Sequence, residues 1–241
     1  MIADAARLIN AGRVPDLRRP TRETDMWAIW EDDPEVCLSK VVALVRDIGP
    51  KLGLNPFEEV QVLTSGHGGS LGTVALNRAL QEALNPEDPE DPGVEVGDIR
   101  LRPGDRVIQT SNNYDLDVFN GDIGRVVRVM DTRRRDAARV VVAFDDREVS
   151  YSGSEARELG LAYAITVHKS QGSEFPFVIF ALSTQHFAML RKTLVYTAVT
   201  RARRFCAVVG QDRAMRIAVK QADAGRTTGL ARRLALRTIP S

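Results

Sequence analysis

AYAITVHKSQGSEFPFVIFAL, residues 162–182, decides the architecture. Two apolar runs, Ala162 to Val167 and Phe177 to Leu182, have the length and the β-branched and aromatic content of strands, with a short polar loop between them. Runs that are apolar at every position suit strands buried on both faces, which belong to parallel sheets covered by helices. Ligands of such sheets sit at the carboxyl ends of the strands, so the polar loop after Thr166 is where a site is expected.

The same rhythm continues downstream, with a helix expected near His186 to Arg203, a strand at Phe205 to Gly210 and a helix over Asp212 to Ala222. Upstream, Met26 to Trp30 is β-prone, and apolar Val36, Val41, Leu44, Val45 and Ile48 predict a helix from about Pro34 that Gly49-Pro50 should stop. Val60 to Thr64 reads as a buried strand, SGHGGSLG (65–72) as a glycine-rich turn, and Leu71 to Leu84 as a helix.

Between these halves the pattern changes. NPEDPEDPG (85–93) is a surface connection, because its prolines and carboxylates suit no regular element. Short β-rich pieces follow at Arg106 to Thr110, Ile123 to Met130, Arg139 to Phe144 and Arg147 to Ser152, separated by turn signals at Asn120-Gly121, Asp131 to Ala138 and Asp145-Asp146. One α/β domain interrupted by a small β-barrel is the predicted organisation.

Composition limits the function classes. Lys plus Arg number 33 against 32 Asp plus Glu, a net charge of +1, so any nucleic-acid contact must be local. Cys37 and Cys206 sit in apolar runs, which suits reduced core thiols and a cytoplasmic setting. No stretch approaches the roughly 18 apolar residues of a membrane span, so no membrane partner is expected. His67 and His186 lack neighbours at metal-ligand spacing, and no metal site is expected. Trp27 and Trp30 read as packing residues.

In the polar loop, Thr166 and Ser170 offer hydroxyls and His168 and Lys169 offer donors. Gly172 permits close backbone approach, and Glu174 can accept two hydrogen bonds from a ribose; the alternative is a plain solvated loop. LVYTAVTRARR (194–204) reads as a helix end leading into a strand. An arginine there is either a finger for charge developing on a phosphoryl group or a basic helix end held by the helix dipole.

TVHKSQGSE (166–174) and YTAVTRA (196–202) together resemble motifs V and VI of superfamily-one DNA helicases of the RecD type. RRPTRETDMWAIWEDDPEVCLSKVVALV (18–45) and EVQVLTSGHGGSLGTVALNRALQ (59–81) resemble the start of that family's second motor domain, and PGDRVIQTSNNYDLDVFNGDIGRVV (103–127) resembles its inserted SH3-like barrel. The likeness implies a RecA-like parallel sheet, of the P-loop NTPase type, with helices on both faces. It also implies a division into a linking segment (1–24), motor parts at 25–96 and 159–222, a barrel at 97–158 and a tail at 223–241.

By the same resemblance Arg201 would be the finger on the γ-phosphate. Glu174 would hold the ATP ribose, Gln171 and Gly172 would lie beside the phosphates, and Tyr196 and Thr200 would support the cleft. Thr166, His168, Lys169 and Ser170 would meet single-stranded DNA. Asn112, Asn113 and Tyr114 in the barrel would add contacts by amide bonding and base stacking, or else form only a hairpin rim held by Asn side chains.

The pattern also breaks. No G-x-x-x-x-G-K-[ST] loop and no magnesium-holding strand end occur in these 241 residues. ATP and Mg²⁺ are therefore expected only together with a Walker-motif-bearing first motor domain, preceding this segment or on a separate chain. The resemblance names repair and recombination among the settings of such motors and does not choose between them. Two other readings stay open: an ATP-independent single-stranded DNA-binding module, and an α/β enzyme using SGHGGSLG as a phosphate loop at a helix N-terminus.

Overall fold

Five parallel strands form the central sheet in the computed structural model: β1 (Met26–Trp30), β2 (Val60–Thr64), β10 (Ala164–Thr166), β11 (Phe175–Leu182) and β12 (Ala202–Gly210), ordered β1-β12-β11-β2-β10. The described residues are 1–17, 24–91, 93–130, 139–145 and 147–221. The expected tail at 223–241 and the turn at 131–138 lie outside them, as do residues 18–23 of the expected linking segment.

Both faces of this sheet are covered, which is why its central strands read as largely apolar runs. Along β11, Val178, Phe180 and Leu182 join one core with α1 (Ile2–Asn10), α5 (Lys192–Thr200) and α6 (Asp212–Lys220). Phe177, Ile179 and Ala181 join the other core with α2 (Pro34–Ala43) and α4 (Thr73–Leu84). Trp27 is in that second core, its ring centroid 5.6 Å from that of Phe177.

The expected stop at Gly49-Pro50 is not where the helix ends. After α2, Leu44–Ile48 widen into a π turn in which the Gly49 N–H reaches the Leu44 carbonyl, and α3 (Gly49–Lys51) continues to Gly53 at φ 75°. Proline lacks an N–H and its ring crowds the carbonyl a turn earlier; one extra residue in that turn relieves both. The downstream helix is shorter than expected: α5 begins at Lys192 after a 3₁₀ segment (Thr184–Met189), and Arg203 and Arg204 lie on β12.

At the end of β12, Gly210 has φ 149° and pairs with Leu182, whose carbonyl oxygen would stand 1.9 Å from an added Cβ. Gly210→Ala is expected to cost about 3 kcal/mol, because backbone rather than a flexible side chain blocks the methyl. Urea unfolding checks this; an unchanged midpoint refutes it.

The middle of the chain forms an antiparallel sheet ordered β8-β7-β6-β5-β9, from β5 (Arg106–Gln109), β6 (Ile123–Met130), β7 (Arg139–Phe144), β8 (Arg147–Tyr151) and β9 (Leu159–Leu161). Its own core gathers Val107, Val126, Val140, Val142, Val149 and Tyr151. A hairpin of β3 (Val94–Val96) and β4 (Ile99–Leu101), absent from the sequence expectation, precedes it.

Two buried groups fix this unit to the parallel sheet. Asp105, fully buried, accepts from Gln81 Nε2 (2.6 Å), Asn85 Nδ2 (2.8 Å), the Arg102 amide (2.8 Å) and the Tyr163 hydroxyl (2.9 Å). Burial pushes its carboxyl above the ordinary range, partly offset by those donors. Arg106 donates to the Val60 carbonyl at 3.0 Å and stacks 5.8 Å from the centre of the Phe175 ring, with burial lowering its pKa to about 10.

Candidate nucleotide and nucleic-acid site

Thr166 ends β10 opposite Thr64 at the carboxyl edge of the sheet. The chain then turns twice, with Ser170 N–H on the carbonyls of Thr166 and Val167, Gln171 N–H on His168 and Ser173 N–H on Ser170. Gly172 takes φ 90°, the conformation glycine supplies without strain, and nothing lies within 4 Å of an added Cβ. Its glycine answers to the turn rather than to crowding.

These turns carry the chain back to the amino edge, where Glu174 immediately precedes β11. The expectation that the whole stretch lies at the carboxyl ends is therefore corrected for Glu174. Parallel strands start at the same edge, so a connection leaving β10 must return the length of the sheet before β11 begins.

Arg201 closes α5 immediately before β12, so it reaches the same amino edge. The Phe175 N–H donates to the Arg201 carbonyl at 2.8 Å, and Arg201 Nη1 donates to the Ser173 carbonyl at 3.0 Å. Arg201 Nη2 approaches Thr200 Oγ1 at 3.5 Å, and Nε is buried with no partner among the described residues. A buried donor without a partner is costly.

Arg203 Nε donates to Glu174 Oε2 at 2.8 Å and, with a smaller contribution from Arg201, holds that carboxyl below the ordinary glutamate range. The pair is exposed and adds little to stability; its effect is to keep Glu174 ionised and oriented. Glu174 and Arg201 thus stand at one edge, as a shared ligand requires. Gln171 and Gly172 are exposed in the connecting loop, and exposed Tyr196 lies one turn before Thr200 on α5.

At the other edge, Thr166 is 7% exposed and its Oγ1 accepts from the Lys169 amide at 3.4 Å. His168 is exposed; Lys169 is half-buried, and desolvation lowers its pKa. Ser170 is fully buried and its hydroxyl donates to the Val167 carbonyl at 2.8 Å, so it shapes the turn and offers no surface. Thr166 and Lys169 line a cleft of about 640 Å³ between α4, the β3–β4 hairpin and strands β5 and β9.

Asn112, Asn113 and Tyr114 do not line that cleft. Asn113 pairs its backbone with Val118, donates to Glu158 and accepts from the Leu116 amide, while Asn112 accepts from the Asn120 amide and donates to the Tyr114 hydroxyl. Their amides close the loop, while the Tyr114 ring, edge-on to Phe119, stays 77% exposed.

The glycine-rich turn before α4 uses its own amides: Thr73 N–H binds the Gly66 carbonyl and Val74 N–H the His67 carbonyl. His67 bonds Thr73 Oγ1 and His186 the Gly68 carbonyl. The amides of Thr73 and Val74, at the start of α4, are therefore already engaged within the turn. Among the described residues no group of three or more His, Cys, Asp or Glu could hold a metal, and no helix is long and apolar enough to cross a membrane.

Sequence reasoning missed Arg203 as the partner of Glu174 and missed Asp105 and Arg106 as joints. Each is an ordinary charged residue whose meaning comes from which strand edge it meets.

Two family models match: ATP-dependent RecD-like DNA helicase SH3 domain over residues 76–144, and UvrD-like helicase C-terminal domain over residues 161–209. The chain is 38% identical over 204 residues to the ATP-dependent RecD2 DNA helicase of Deinococcus radiodurans, covering 85% of this chain and 26% of that protein. It is 31% identical over 183 residues to the RecBCD enzyme subunit RecD of Mycobacterium tuberculosis, covering 76% of this chain and 30% of that one. The chain thus spans between a quarter and a third of these relatives.

The structure of a Pif1 helicase from Bacteroides in complex with ADP-AlF3 and ssDNA resembles it with a TM-score of 0.51 at 17% identity, covering 87% of this chain and 48% of that one, a likeness of fold. With a RecA-like parallel sheet interrupted by a RecD-like SH3 domain, the chain matches the C-terminal region of RecD-like DNA helicases.

Proposed function

We propose that this chain supplies the second wall of an ATP site in a motor that moves 5′ to 3′ on single-stranded DNA. Arg201 reaches the γ-phosphate, Glu174 accepts from the ribose hydroxyls, Gln171 and Gly172 border the phosphates, and Tyr196 and Thr200 back the cleft. Thr166, His168 and Lys169 meet the DNA strand, Ser170, Asn112 and Asn113 hold the loops, and Tyr114 is free to stack on a base. In this reading the motor parts are 25–96 and 159–222, and 97–158 is the barrel between them.

The observation that carries the reading is the meeting of Glu174 and Arg201 at one sheet edge, with a buried Arg201 Nε that has no acceptor among the described residues. That edge offers cationic donors and an ionised acceptor, which fits a nucleotide. When bound, ATP supplies the phosphoryl group whose cleavage drives movement. Arg201 stabilises charge developing on that group, and Glu174 orients the sugar.

Magnesium and the phosphate cradle come from a Walker-motif-bearing domain, either preceding this segment or on another polypeptide. This chain alone is expected to hydrolyse no ATP, and adding that domain should restore DNA-stimulated turnover. Steady-state ATPase measurement with and without the added domain tests this. Turnover by the chain alone, abolished by Arg201→Ala, would overturn the reading.

A further inference from the structure

Four basic side chains line the cleft beside Thr166: Arg78, Arg100, Arg102 and Lys169. Two are already neutralised. Arg100 bonds Glu87 and Glu95 at 3.0 and 2.9 Å, and Arg102 bonds Glu82 while its Nη1 reaches the Asn85 carbonyl. Lys169 projects from the turn after β10, and Arg78 is exposed on α4 with no ion pair among the described residues. The carboxylate four residues beyond it, Glu82, is the one engaged by Arg102.

Arg78 also has an unusual neighbour. Val74, one helical turn earlier on the same face, is 71% exposed, and both residues line the cleft and an adjoining hollow of about 710 Å³ bordered by His67, Gly68 and Ala79. A cation beside bare apolar surface, with a second unpaired cation lining the same cleft, matches a strand that alternates phosphates with apolar base faces. Asp98, at the hairpin turn, is a lining carboxylate without a cation partner among the described residues, and it favours a path along α4.

We propose that Arg78 contacts a backbone phosphate of single-stranded DNA lying along α4, with Val74 packing against the adjacent base. This rests on the reading of the chain as part of a DNA motor and adds to it a contact on a different element from the β10 loop. The strand then passes between two cations, and the net charge of +1 is no obstacle because the other lining arginines are cancelled in place.

The test is fluorescence anisotropy of a labelled oligothymidylate with the full chain across a salt series. Arg78→Ala should weaken binding on the order of 3- to 10-fold at about 50 mM salt and reduce the log–log salt slope by about 0.7, the loss of one single-strand phosphate contact. Arg78→Lys should recover most of the affinity. Arg213→Ala, the same charge change at an exposed site on α6, should leave both quantities close to wild type.

If Lys169→Ala weakens binding while Arg78→Ala does not, the Arg78 contact is refuted and the DNA reading stands. If Arg78→Ala spares DNA binding but weakens association with a phosphate-loop domain, the face is a protein contact and the proposal falls. Absence of wild-type binding at low salt overturns both.

Discussion

Arg201→Ala, in a motor reassembled from this chain and a phosphate-loop domain, is expected to lower the ATPase kcat on the order of 10³- to 10⁵-fold. An arginine finger acts on charge that appears only as the phosphoryl group transfers, so its loss falls on kcat rather than on ground-state binding. The geometry suits this role: one guanidinium nitrogen is held by the Ser173 carbonyl while Nε is buried with no partner among the described residues. DNA affinity should change little, since Thr166 and Lys169 stand at the other end of the sheet. Arg201→Lys keeps a charge but loses the planar fork, and it should recover only a small part of the rate. A kcat within tenfold of wild type for Arg201→Ala would remove Arg201 from the reaction.

Asp105→Asn is expected to destabilise the protein by about 3 kcal/mol. Each carboxylate oxygen receives two donors: Gln81 Nε2 and the Arg102 amide on one, Asn85 Nδ2 and the Tyr163 hydroxyl on the other. An amide in either orientation sets an N–H against two of these donors in a fully buried place. With an m-value of about 1–3 kcal/mol/M in urea, the midpoint should fall by about 1 M or more. Glu148→Gln, in an exposed pair with Arg128, is the matched control and should move it little. If the two variants unfold together with wild type, the Asp105 joint carries no stability.

The central strands of the parallel sheet were legible because they are buried on both faces. Val60 to Thr64 and Phe177 to Leu182 have no polar face to confuse the reading, apart from Gln61. The β3–β4 hairpin escaped because its strands are three residues long and include Glu95 and Arg100, which pair with each other on the exposed side. The helix through Pro50 escaped because local propensity does not anticipate a π turn.

In the candidate site, the resemblance to helicase motifs V and VI singled out Glu174 and Arg201, but the edge of the sheet on which they stand was not legible, since it depends on the path of the intervening loop. Ser170, Asn112 and Asn113 show a second limit. Hydroxyl and amide groups look available in a sequence, whereas backbone carbonyls and amides nearby claim them first.

Asn77 has a consequence for assembly. Its side chain donates to the Ala164 carbonyl and accepts from the Ala164 amide, both at 2.8 Å, and the carbonyl of Thr166 is engaged by the Ser170 amide. The outermost strand on that side therefore has few backbone groups left to offer an incoming chain. Edge-to-edge growth of the sheet, whether by a swapped segment or by aggregation, is discouraged at β10 and would have to begin at β1.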